Sequence, residues 1–277
     1  MATFEAGADF GVSRGTKSER SVRLPFRIVS AVLALAGPVC LLILWWAASA
    51  NSWISPQVLP RPDWVFNTFL DLLAEGDIFS AAVVSFRRIA EGFLIGSSLG
   101  FVFGLLIGKS ETANAYLGPS YRALAAVPSL GWLPILILLF GIEESVKIII
   151  LSKACFVPMA ISTAEGARNV PKGFSEVADI LGLRTRTRFF KLTIPAMAPY
   201  IASGVRLSLS QAFVSLIVVE MLAGTDGLGY MMVWGRTLFQ LDIVIVGMVV
   251  VGVVGFLLDL LLRRTEALMR KGSGAHG

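Results

Sequence analysis

Six apolar runs, near 28–50, 89–108, 118–140, 144–163, 204–223 and 241–262, each approach the roughly 20 residues needed to cross about 30 Å of hydrocarbon. That pattern rules out a water-soluble domain for a chain of 277 residues, of which 55% are hydrophobic and only 16% charged, with a mean hydropathy of +0.75. Inside lipid the backbone must satisfy its own polar groups, and runs of this length do so as helices. The expected fold is therefore all-α and polytopic, with about six transmembrane helices. Lys147 and Lys153 interrupt the fourth run, so five spans is the alternative count. Ala48-Ser49-Ala50 imitates a signal-peptidase site, but the run before it exceeds the 7–15 apolar residues of a signal peptide and reads as a retained helix.

Basic residues set the orientation. The residues before the first run, the segment holding Lys109, the long connector over 164–199 and the residues after the last run together carry sixteen lysines and arginines. The opposite segments carry Arg61, Arg87, Arg88, Lys147 and Arg236. Both termini and the connector are expected on the cytoplasmic side. Along the chain this gives a mobile arm (1–22), a first span with an external segment (23–80), a membrane domain (81–265) and a cytoplasmic tail (266–277). Within the external segment Trp64, Phe66, Phe69, Leu70, Leu72 and Leu73 recur with helical spacing, which predicts an interfacial helix.

Several chemistries lack their residues. Cys40 and Cys155 both lie in apolar runs and the only histidine is His276, so neither a disulfide framework nor a Cys/His metal site can be assembled. The net charge of +5 sits beside apolar runs without a nucleic-acid-binding pattern, so no nucleic acid is expected as a partner, and lipid is. "GLLIGKS" (104–110) imitates a phosphate-binding loop, yet has three residues between its glycines where the motif needs four, and it ends a lipid-length run. Gly92, Gly96, Gly100, Gly104 and Gly108 recur at every fourth position, a stripe suited to close helix packing.

A polar stretch, "SEVADILGLRTRTRFFKLTIP" (175–195), interrupts this lipid-like chain. Phe174, Val177, Ala178 and Leu181 make one apolar stripe of a short helix, with Lys172, Glu176 and Asp179 on a polar side. Gly182 ends it, a second helical turn can follow through Phe189, Phe190 and Leu192, and Pro195 opens the return to the membrane. Glu176-Val177-Ala178, then Gly182, then Leu192-x-Ile194-Pro195 resembles the "EAA" loop of bacterial ABC importer permeases, E-A-A-x3-G-x9-I-x-L-P, with apolar departures at Val177, Leu192 and Ile194. "SFRRIAEGFLIGSSLGFVFGLLIG", "VPSLGWLPILILLFGIEESVKI" and "VVEMLAGTDGLGYMM" extend the resemblance over about 80–265, toward the nitrate, taurine and aliphatic-sulfonate branch.

The resemblance implies a permease subunit in the bacterial inner membrane, paired with a second copy of itself, with two cytoplasmic ATPase subunits and with a periplasmic solute-binding protein. Glu176, Ala178, Gly182, Leu192 and Pro195 would form the ATPase-coupling loop. The chain itself would be non-catalytic and bind no cofactor or metal, the partner using ATP and Mg. Candidate pathway residues are Pro128, Ser129, Trp132, Lys153 and Glu220. Pro128, Ser129, Gly131, Trp132 and Pro134 break the third run, as either a path lining or a packed kink. Lys153 either attracts an anion or snorkels or pairs with an acid, and Glu220 is either a packing or gate residue or a solute contact. Arg206 reads as an interface anchor. An ion-coupled secondary transporter, or a membrane enzyme or respiratory subunit, are the competing readings.

Overall fold

The computed structural model describes residues 23–51 and 53–272; the polar arm over 1–22 lies outside them. They are helical, with no strand among the described residues. The described residues up to Ser55, holding α1 (Arg23–Ala50), form one compact unit, and those from Pro56 onward form another.

The second unit opens with α2 (Pro62–Ala74), started by Pro62 at a first-turn position. Its Trp64, Phe66, Leu70 and Leu73 are exposed and Val65 is buried. Thr68 donates to Asp242 at 2.6 Å. A left-handed Gly76 leads into α3 (Asp77–Lys109), which begins twelve residues before the apolar run at 89–108. The earlier start brings Arg87 and Arg88 into the helix.

Ser110 closes α3 and caps α4 (Glu111–Ala126), its hydroxyl accepting from the Ala113 N–H at 3.1 Å. The third run, expected as one span over 118–140, is instead broken. α4 stops at Ala126, a 3-10 turn covers Ser129–Trp132, and α5 (Leu133–Phe140) leaves at 88° to α4. Pro128 supplies no N–H and disfavours helical backbone at Val127, which is extended.

α6 (Glu144–Arg168), the interrupted fourth run, is long and apolar enough to cross a membrane, and is the most enclosed of the long helices. The connector holds α7 (Lys172–Ile180), α8 (Thr185–Arg188) and a π-turn over Phe189–Thr193. α9 (Ile194–Ala223) starts ten residues before the run at 204–223, with Pro195 in its first turn. Then come α10 (Leu228–Thr237) and α11 (Leu241–Gly272). Four helices among the described residues meet the length and hydropathy of a span, and the broken pair raises this to five.

α6 is the axis of the packing. α3 lies parallel to it, and the glycine stripe faces it. A Cβ at Gly100 would meet the Phe156 carbonyl at 2.6 Å, one at Gly104 the Thr163 Cβ at 2.8 Å, and one at Gly108 the Ala167 Cβ at 2.7 Å. Gly92 and Gly96 stand as closely against Leu151 and Ser152. α9 runs antiparallel on another side of α6: Ser208 donates to the Cys155 carbonyl at 2.9 Å and Gly204 sits against Ser162. Ile89, Leu151, Cys155, Ala212 and Leu216 form the core where the three helices meet. Arg206, the expected interface anchor, ties α9 to α11 by pairing with Glu266 at 2.9 Å and Asp259 at 3.3 Å.

Candidate functional site

Three places hold the residues with functional chemistry. The first is the connector between α6 and α9. α7 closes with the Leu183 N–H donating to the Ala178 carbonyl at 3.0 Å and the Gly182 N–H to Asp179 at 3.1 Å, while Gly182 takes φ +58°. This is a Schellman closure, which explains the glycine: a side chain there would be strained even though the surrounding space is open. Arg188 pairs with Asp179 at 2.8 Å and clasps α8 to α7. Lys109, at the end of α3, lies over the Phe189 ring at 4.4 Å, joining the glycine-striped helix to the π-turn.

Ala178 is buried, whereas Glu176 and Asp179 are exposed. Leu181 was expected on the stripe with Ala178, but it is 64% exposed, and Ile180 beside it is also exposed. The Schellman turn swings Leu181 out of the helical register, so the connector presents an acidic edge and two free aliphatic side chains together. Leu192 lies in the π-turn and Pro195 in the first turn of α9.

The second place is the helix break. The Lys153 ammonium donates to the Val127 carbonyl at 2.6 Å. Ser129 and Lys153 line two cavities there. One, of about 260 Å³, also takes in Val127, Pro128 and Gln211 of α9; the other, of about 220 Å³, takes in Trp132, Ile149 and Ile150. Pro128, Ser129, Trp132 and Lys153 are thus brought together, and Glu220 is not among them.

Glu220 belongs to the third place, at the end of the bundle where α6 begins. It is fully buried and accepts from Ser85 Oγ at 2.9 Å, from Arg88 at 2.8 Å and from the Gly229 N–H at 2.9 Å. Arg88, only 1% exposed, also reaches Glu144 at 2.9 Å, Asp226 through a short contact and the Asp226 carbonyl at 2.9 Å. Lys147 is buried as well and pairs with Glu144 at 2.9 Å. The sequence "GTDGLG" (224–229) wraps this carboxylate. Gly227 needs φ +102°, a Cβ there would lie 2.6 Å from Glu220 Cδ, and the next N–H, of Leu228, donates to Ser85 Oγ.

This network corrects the placing of Arg88 and Lys147 among the charges of connecting segments. Both are inside helices, where nearby carboxylates compensate the cost of burial. Arg88 had a readable signal: no glycine or proline lies between Gly76 and the doublet Arg87-Arg88, so a helix starting after Gly76 contains it.

A helical bundle with lipid-length helices, a broken span beside intramembrane polar groups and a helical connector at one end has the make-up of a membrane permease. The sequence profile described as "Binding-protein-dependent transport system inner membrane component" matches residues 96–271. The putative aliphatic sulfonates transport permease protein SsuC of Bacillus subtilis is 35% identical, over 84% of this chain and 85% of its own. The taurine transport system permease protein TauC of Escherichia coli is 30% identical, over 88% of this chain and 90% of its own. The bicarbonate transport system permease protein CmpB of Synechococcus elongatus is 29% identical, over 82% and 85% respectively. The chain belongs to the binding-protein-dependent ABC importer permeases.

Proposed function

We propose that this chain forms the membrane path of an ATP-driven importer for a small anionic solute, with an aliphatic sulfonate or taurine favoured and nitrate or bicarbonate as lesser candidates. Three relatives support an oxyanion head: their names give aliphatic sulfonates, bicarbonate and taurine, a zwitterion whose one anionic group is a sulfonate, as cargo. The observation that carries the coupled mechanism is the connector over 169–193. Its acidic edge and free Ile180 and Leu181 suit docking into a partner groove. It follows α6 and feeds α9 directly, and Lys109 links it to α3, so a push on α7 reaches three packed helices.

In this reading the connector faces the cytoplasm with both termini, as the excess of basic residues on that side favours. Two ATPase subunits bind two copies of the chain, a periplasmic binding protein delivers the solute at the opposite end, and ATP and Mg stay with the ATPase. Movement of α7 would tilt α6 and α9 and open the path alternately to either side.

The test is purification of the tagged full chain in mild detergent, with mass spectrometry of bound proteins and an ATP hydrolysis assay. An ATPase subunit is expected with the wild-type chain, and Glu176→Arg, on an exposed edge, is expected to lose it while still inserting in the membrane. A chain that comes alone and moves solute in vesicles without ATP would overturn the reading.

A further inference from the structure

The buried charges at the start of α6 are paired; Lys153 is not paired in that way. It lies nine residues after Glu144 along α6, about 14 Å into the helix at 1.5 Å per residue, which is membrane depth. Among the described residues no carboxylate stands within ion-pair distance of it, and its Nζ donates to one neutral group, the Val127 carbonyl. That carbonyl is available because of the break. In a continuous helix it would take the N–H of Gly131, but that N–H donates to the Pro128 carbonyl at 2.9 Å, within the 3-10 turn. Pro128 therefore leaves one backbone acceptor over, and the acceptor fixes an ammonium beside two cavities.

An ammonium has three donors, and the carbonyl occupies one. The other polar groups around the cavities are the Ser129 hydroxyl, the Gln211 amide and the Trp132 indole, and no carboxylate lines either cavity. Trp132 Nε1 is buried without an acceptor among the described residues. Donors in excess, a cation without a counter-ion and aliphatic walls at Ile149 and Ile150 suit a solute with an oxyanion head and a short apolar tail.

We infer that Lys153 is the anion-selecting residue of the path, held on the Val127 carbonyl at the helix break and meeting the sulfonate head of a passing aliphatic sulfonate, with Ser129 and Gln211 as neutral donors beside it. This rests on the reading of the chain as an importer permease for a small anion. It adds the residue that distinguishes an anionic from a neutral or cationic solute, and gives the broken span a purpose: an unbroken third helix would consume the carbonyl that positions the lysine.

The experiment is uptake of radiolabelled ethanesulfonate by proteoliposomes holding the full transporter, with its ATPase and binding protein, comparing wild type with Lys153→Gln, Lys153→Arg and Lys153→Glu. The maximal rate is expected to fall about tenfold or more in Lys153→Gln, a barrier change of about 1.4 kcal/mol. Lys153→Glu should abolish uptake and Lys153→Arg should keep most of it, while all three retain the ATPase subunit. Unchanged uptake in Lys153→Gln, with an active wild type, would overturn the inference and leave the importer reading standing. So would equal losses in Lys153→Gln and Lys153→Arg together with a lower folded yield, since that would make Lys153 a packing pin. An intact wild-type complex that takes up no ethanesulfonate would remove both the sulfonate reading and the inference.

Discussion

Arg88 and Lys153 are both cations inside long apolar helices that pack against each other, and they are held in opposite ways. Arg88 meets Glu144, Glu220 and Asp226, from two helices and a loop, and a glycine-rich turn closes over the pair it makes with Glu220. Lys153 meets one carbonyl at the edge of two cavities. The first arrangement is over-determined: Arg88, Glu144 and Glu220 each have several partners, which ties α3, α6 and α9 together at that end. The second leaves charge unanswered, which is tolerable only where water or a passing anion can answer it. In this protein the balanced charges tie helices together, and the unbalanced one borders two cavities.

The sharpest way to break that contrast is Arg88→Met. It strands Glu220 in a fully buried site, and loss of one partner from a buried pair costs about 3–5 kcal/mol. A large drop in the thermal unfolding midpoint in lipid nanodiscs is the expected outcome. Gly227→Ala forces a Cβ toward the Glu220 carboxylate at a backbone angle that side chains disfavour, at about 1–3 kcal/mol. It should lower the midpoint without removing any charge. Glu220→Gln keeps the shape and leaves Arg88 its two other carboxylates, so about 1–2 kcal/mol is expected from the weakened hydrogen bonds. Smallest in stability is Lys153→Gln, which exchanges one hydrogen bond to a carbonyl for another, worth under about 1 kcal/mol. Its effect is expected in uptake instead, and a large stability loss there would place Lys153 in the frame.

What could be read from the sequence was local. The glycine stripe is visible because a four-residue repeat nearly matches the helical period, and the structure sets all five glycines against α6. The closure of α7 is visible because Gly182 and the apolar spacing before it lie within one short window. Leu181 escaped the same reasoning: helical spacing puts it on the stripe, but the chain has already left the helix there. The Arg88–Glu220 pair joins positions 132 residues apart, so no window holds both. The span boundary at 89 hid it further, because a search for apolar residues starts a helix where the charges stop. Pro128 announced an irregularity, but its size depends on what receives the freed carbonyl, and that partner, Lys153, comes from a different helix.

The deciding measurement is the unfolding midpoint of the full chain in nanodiscs for Arg88→Met and Lys153→Gln, side by side with wild type. A fall of roughly 10 °C for Arg88→Met, with Lys153→Gln within about 3 °C of wild type, is the expected result for a frame held by paired charge and a path lined by unpaired charge. Equal falls in the two variants would contradict it, because Lys153 would then be holding the bundle together as Arg88 does.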